Sequence, residues 1–126
     1  MIRWTILVLL FARAAWADAP APSFGSPFRF TEVGGAAVYA GACAGCHMAG
    51  GQGASGAGAY PALAGDPRLA SSAYAVTRVL QGRGAMPPFG NSLSDEQVAG
   101  VVGYIRASFG NAYGPGPAAA EVAALR

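Results

Sequence analysis

The feature that most constrains this chain is Cys43-Ala44-Gly45-Cys46-His47, which places two thiols and an imidazole within five residues. On a helical turn, positions i, i+3 and i+4 share one face, so both sulfurs and the ring point to the same side. The C-x-x-C-H spacing is that of a covalent haem c attachment, in which two thioethers hold the macrocycle and the histidine takes the iron. Two other chemistries compete for a CxxC pair: a disulfide or redox dithiol, and a zinc site. Zinc wants four protein ligands, and beyond these three residues the sequence contains no further cysteine or histidine. The histidine directly after the second cysteine therefore favours one covalent haem c.

The first residues set the compartment. Met1-Ile2-Arg3 is followed by an apolar run from Trp4 to Ala12, then Arg13 and Ala15-Trp16-Ala17. A basic start, a short apolar middle and an A-x-A exit make a secretory signal peptide over 1–17, with cleavage after Ala17. The competing reading is a retained membrane anchor, but a spanning helix needs about 20 apolar residues, and Arg13 interrupts the run. The expectation is an exported, periplasmic chain starting at Asp18.

Removing that segment also removes the basic character. The formal charge of +2 comes from Arg3 and Arg13, and residues 18–126 carry six arginines against six acids and no lysine. A nucleic-acid binder needs a basic surface, which such a chain lacks. What remains, about 109 residues, is one domain of modest core. It is rich in glycine and alanine and poor in large side chains, and a bound macrocycle would fill that shortage.

Along the chain, residues 18–30 are rich in Pro, Ser and Phe and read as an extended arm. A first helix is expected to start with Thr31 as its cap and to run through Val38 and Tyr39 into the cysteine motif. The glycine-rich stretch 50–58 reads as a flexible loop. A second helix is expected over Ser71 to Gln81, stopped by Gly82. The third has the clearest signals: Ser94 and Gln97 form a capping box, and Asp95 and Glu96 suit the positive helix end. Val98, Val101, Val102, Ile105 and Phe109 follow at i, i+3, i+4, i+7 and i+11, one apolar face, until Gly110-Asn111. Residues 31–111 form the domain. The stretch 112–126 reads as a tail, with Ala118 to Arg126 either a short helix or a frayed end. No strand pattern is visible, so the fold class is all-α, with about three main helices and long loops.

The iron's second axial ligand comes from elsewhere in the chain. Met1 leaves with the signal segment, and Met48 is bonded next to His47 and cannot reach the opposite face. Met86 remains, framed by Gly84, Pro87 and Pro88, which stiffen the backbone around it. A methionine can simply fill core space, but one set in such a loop is a poor filler. His47/Met86 ligation favours ferrous iron and raises the potential. It also fills both axial places, which suits an electron carrier and not an enzyme. The rival is a haem enzyme or gas sensor with an open iron, and a third reading is a subunit whose haem mainly stabilises the fold. Gly51-Gln52-Gly53-Ala54-Ser55-Gly56 matches the dinucleotide fingerprint, but that needs a strand before it and a helix after it.

With these residues in hand, the chain resembles class I c-type cytochromes over nearly all of residues 31–110. Gly35 and Tyr39 match the family's glycine and aromatic on the first helix, and Val101 and Tyr104 match their partners on the last, where the two helices cross. Tyr60-Pro61-Ala62-Leu63-Ala64-Gly65 is similar to the segment after the haem loop. The resemblance implies that the Pro61 carbonyl accepts the Nδ1–H of His47 and that Leu63 packs on the porphyrin.

A narrower likeness, from Tyr60–Gly65, Gly84–Gly90 and Leu93-Ser94-Asp95-Glu96, is to cytochrome subunits of bacterial alcohol and aldehyde dehydrogenase complexes. Those often carry three haem domains, whereas this chain has a single CxxCH, so subunit and free shuttle both stay open. The implied partners are a dehydrogenase donor and an oxidase or another cytochrome as acceptor, with the membrane involved only through a partner. The near-neutral surface suggests docking through Ala85, Pro88 and Phe89 at the haem edge. Arg78 and Arg83 either offset the haem propionates or are solvated charges.

Overall fold

A computed structural model describes residues 29–126. The expected signal peptide and residues 18–28 of the expected arm lie outside the described residues. The architecture is helical, as the sequence indicates. Helix α1 (Gly35–Val38) passes through a π turn (Tyr39–Cys43) into α2 (Ala44–His47). A short antiparallel hairpin, β1 (Ala54–Ser55) and β2 (Ala59–Tyr60), follows, paired Ala54 to Tyr60 and Ser55 to Ala59. A 3₁₀ turn (Pro67–Ala70), α3 (Ser72–Gln81), α4 (Asp95–Ala107) and α5 (Ala119–Ala123) complete the order.

Helix α4 is the element against which the others pack. It presents Val98, Val101, Val102 and Ile105 inward, all at most 6% exposed, which is the face its 3.6-residue periodicity predicts. Ser94 Oγ accepts from Gln97 N and Gln97 Oε1 accepts from Ser94 N, so the capping box is formed. Val76, Val79 and Leu80 of α3 and Val38 of α1 join this core. The helices at the two ends of the domain cross at glycines. A Cβ on Gly35 would lie 2.1 Å from the Gly100 carbonyl oxygen and 2.8 Å from Tyr104 Cβ. The crossing is thus closer than any side chain would permit. Of the two partners expected on α4, Tyr104 lies at the crossing and packs on Tyr39, but the residue whose backbone meets Gly35 is Gly100 and not Val101.

Three local expectations are corrected. The first helix does not start at Thr31. Gln97 Nε2 donates to the carbonyls of Phe30 and Glu32 at 3.0 and 2.9 Å, and Phe30 N donates to Ser92 O. These bonds hold residues 30–32 along the start of α4, and the helix begins only after Gly34, whose φ is +88°. The stretch 50–58, expected as a flexible loop, holds β1 and the turn of the hairpin, closed by Gly56 N to Gly58 O. Two residues per strand, Ala-Ser and Ala-Tyr, are too short to give an alternation signal. The helix end predicted at Gly110-Asn111 falls earlier, at Ala107, with Ser108 extended beyond it.

The stretch 112–126, read as a tail, packs on the domain. Val122 of α5 is fully buried, and a Cβ on Gly116 would lie 2.5 Å from Gly103 Cα of α4. Burying a valine completely stabilises by about 1.5–3 kcal/mol, enough to hold a helix of five residues that would not form alone.

Candidate haem-attachment site

The π turn delivers the cysteines. Its residues Tyr39-Ala40-Gly41-Ala42-Cys43 widen the helix by one residue per turn, and such π segments recur at functional sites. Small side chains at 40–42 tolerate the widening, and Glu32 lies against it, with Oε1 2.9 Å from where a Cβ on Gly41 would sit. The helix then tightens, so Cys43, Cys46 and His47 occupy one α-helical turn. Cys43 is half-buried, Cys46 exposed and His47 buried. Burial, and secondarily the charge of Cys46, pushes the Cys43 thiol up to about 11.

His47 is fixed from the next segment. Its Nδ1 lies 2.9 Å from the Pro61 carbonyl oxygen, a distance at which Nδ1–H donates to the carbonyl. The tautomer is thereby set, and Nε2 is the nitrogen left to coordinate. The loop that offers Pro61 is itself tied down. Leu63 N and Ala64 N both donate to Gly51 O, at 2.7 and 2.9 Å, and Gly53 N donates to His47 O. Gly53 allows this crossing, since a Cβ there would lie 2.4 Å from the Tyr60 carbonyl oxygen. The glycines that spell a dinucleotide fingerprint thus serve as the floor under His47 and Pro61. A hairpin follows them instead of a helix, so that motif lacks its required context.

Met86 sits in a tight turn after α3. Arg83 N donates to Met86 O, and Met86 N to Arg83 O, each at 3.0 Å. Gly82, expected only as the helix stop, has φ +67°, and a Cβ on it would meet the Met86 carbonyl oxygen at 2.3 Å. Met86, Leu63, Phe89 and Cys43 are all partly buried against the same core. Ala85, Pro87 and Pro88 are exposed beside them. Arg83 is exposed; Arg78 lies over the Tyr74 ring at 5.2 Å, and its Nε is buried without a hydrogen-bond partner.

Several residues that hold the site gave no signal in the sequence. The buried Asn111 side chain accepts from Gly65 N at 2.8 Å and donates to Leu63 O and Ile105 O at 2.9 and 2.8 Å, stapling the Pro61 loop to the end of α4. Buried Arg106 donates to the carbonyls of Leu69, Ala70 and Tyr113. Tyr39 Oη donates to Met48 O at 2.7 Å, and its ring packs with Tyr104 and Phe109 at centroid distances of 5.5 and 5.0 Å. The partners are backbone groups or rings beyond one helical turn in the chain, from Ile105, six residues from Asn111, to Leu63, 48 residues from it, so no local pattern marks them.

The donor set fits a covalent haem c. Two thiols not joined in a disulfide flank an imidazole whose Nδ1 is already engaged. Among the described residues no group of three or more His, Cys, Asp or Glu could hold a metal ion by itself. Among the described residues the buried Arg78 Nε has no hydrogen-bond acceptor, an N–H of the kind a propionate would satisfy.

Comparison with known proteins agrees with this chemistry. Residues 32–105 match the family model described as cytochrome c oxidase, cbb3-type, subunit III. The chain is 41% identical over 104 residues to the gluconate 2-dehydrogenase cytochrome c subunit of Pantoea cypripedii, covering 73% of this chain and 24% of that protein. It is 37% identical over 93 residues to the fructose dehydrogenase cytochrome subunit of Gluconobacter japonicus, covering 62% and 19%. It is 35% identical over 108 residues to the alcohol dehydrogenase (quinone) cytochrome c subunit of Gluconacetobacter polyoxogenes, covering 75% and 23%. The chain thus spans about a quarter of the length of the relatives it matches. The matched segment holds the cysteine pair, His47, the Pro61 loop, the Met86 turn and most of α4, and on that ground the chain belongs to this family of cytochrome c domains, electron-transfer modules with covalently bound haem c.

Proposed function

We propose that this protein is a periplasmic single-electron carrier whose one haem c is bound through Cys43 and Cys46 and ligated by His47 and Met86. The observation that carries the reading is the 2.9 Å bond between His47 Nδ1 and the Pro61 carbonyl. It leaves Nε2 as the ring nitrogen available to the iron and makes the ring a stronger donor. The haem supplies reversible one-electron storage. The chain's own residues would hold it: Leu63 would pack beside it, Met86 would supply the second ligand from the turn closed by the Arg83–Met86 bonds, and Arg78 would offset a propionate. A thioether ligand raises the potential, and filled axial places favour electron passage over substrate chemistry.

By likeness to the cytochrome subunits of gluconate, fructose and alcohol dehydrogenases, the donor is a dehydrogenase and the electron moves on towards the respiratory chain. The exposed Ala85, Pro87 and Pro88 beside Phe89 form the docking edge. Among the described residues no helix is long and apolar enough to cross a membrane.

Carbon monoxide added to the reduced holoprotein tests the ligation. The wild type should show no rapid spectral change, while Met86→Ala should bind carbon monoxide at once and shift to a lower potential. Rapid binding by the wild type would instead establish an open iron and the enzyme or sensor reading.

A further inference from the structure

The Met86 turn is the first part of a connection that runs from the end of α3 to the start of α4, and its two halves are held differently. The first half is fixed by its own backbone, through the paired Arg83–Met86 bonds. Phe89 N to Val79 O at 2.9 Å and Gly90 N to Leu80 O at 3.2 Å then tie the middle to α3. The second half is held from outside the connection by a backbone bond, Phe30 N to Ser92 O at 3.2 Å, and by one side chain, Arg126. Its Nη1 donates to Gly90 O, its Nη2 to Leu93 O at 2.8 Å, and its Nε to Asp95 Oδ1 at 2.5 Å. All three guanidinium nitrogens are engaged, on three points spread over six residues. Arg126 follows shortly after α5, which is anchored through the fully buried Val122.

We propose that Arg126 is a positioning residue for Met86, clamping the 86–95 connection so that the thioether stays on the iron. The inference rests on Met86 being the second axial ligand. Its physical basis is stiffness. Pro87 and Pro88 fix two successive φ angles, so the chain has little freedom to hinge between Met86 and Phe89. Withdrawing Met86 therefore strains the Phe89 and Gly90 bonds to α3 first, and once these yield the carbonyls of Gly90 and Leu93 move away from the guanidinium. A planar fork can span these three acceptors, whereas an ammonium on a flexible stem engages them as a point charge.

Imidazole binding to the oxidised holoprotein reads this directly, because it competes with the thioether only when the Met86 connection opens. Wild type, Arg126→Lys, Arg126→Ala and Met86→Ala are mixed with imidazole, and the rate and the ferric sulfur–iron absorption band are recorded. Met86→Ala should bind without delay and lack the band. Arg126→Ala should keep the band at rest and bind about tenfold faster than wild type, the effect of losing about one charge-assisted hydrogen bond from the closed form. Arg126→Lys should fall between. If Met86→Ala is fast and Arg126→Ala equals wild type, the clamp is refuted while Met86 ligation stands. If Met86→Ala keeps the band and binds as slowly as wild type, the ligation itself is wrong and the clamp falls with it.

Discussion

Gly35→Ala and Gly100→Ala, two substitutions of one methyl group at a single helix crossing, should have unequal consequences. A Cβ on Gly35 points at the opposing backbone, 2.1 Å from the Gly100 oxygen, 2.7 Å from its carbon and 2.8 Å from Tyr104 Cβ. None of these atoms can swing aside as a side-chain tip would. The helices must separate, and α4 carries most of the core with it. Overpacking of this kind costs about 1–3 kcal/mol, and backbone collision puts it at the upper end. The gain from alanine's helix propensity is about 1 kcal/mol at most, and smaller at the first position of α1.

The net loss for Gly35→Ala is thus about 2–3 kcal/mol. A Cβ on Gly100 meets Gly35 N at 3.3 Å and Gly35 Cα at 3.6 Å, so the opposing backbone must give slightly, far less than Gly35→Ala demands, and Gly100 lies inside α4, where alanine's propensity counts fully. Gly100→Ala should therefore be within about 1 kcal/mol of wild type. Thermal unfolding of the oxidised holoprotein separates the two cases, since each kcal/mol shifts Tm by about 4–8 °C in a domain of this size. Equal melting of Gly35→Ala and wild type, or a larger loss for Gly100→Ala, would refute the crossing geometry.

Two further perturbations test the supports of the site. Asn111→Ala strips Gly65 N, Leu63 O and Ile105 O of their partner in a buried place; denaturant unfolding should show a loss of about 2–4 kcal/mol with the slope m unchanged. For Tyr39, burial and then the neighbouring Cys43 and Tyr104 raise the phenol from 10.0 to about 12. The unfolded chain releases this proton first, so the stability is whole below pH 10 and is lost as the pH rises towards 12. At pH 11 the loss is about 1.4 kcal/mol, one pH unit's worth. Tyr39→Phe should be less stable at neutral pH by about 1 kcal/mol, through the missing bond to Met48 O, yet flat between pH 10 and 11. A parallel decline of both proteins in denaturant titrations would show that another group is responsible.

The chain's own pattern was enough for whatever depends on neighbours in sequence. The haem reading followed from three residues on one turn. Helix α4 was legible from its capping box and its apolar stripe, and α3 from Ser71 and Gly82, because capping and periodicity act within a few residues. Met86 as a candidate came from elimination and from its prolines.

Contacts between distant segments were decided by the tertiary structure. Gln97 reaches back to Phe30 and Glu32 and so delays the first helix past its expected start at Thr31. Asn111 and Arg106 satisfy carbonyls up to 48 residues away, and any exposed-looking polar residue could have taken that role. Gly100, and not Val101, meets Gly35, because a crossing point depends on where two helix axes approach. The glycines at 51 and 53 became the floor under His47 and Pro61, a use their spacing alone did not suggest. Local order is written in neighbouring residues, but which buried polar atom meets which, and where two helices touch, is set when the whole chain packs.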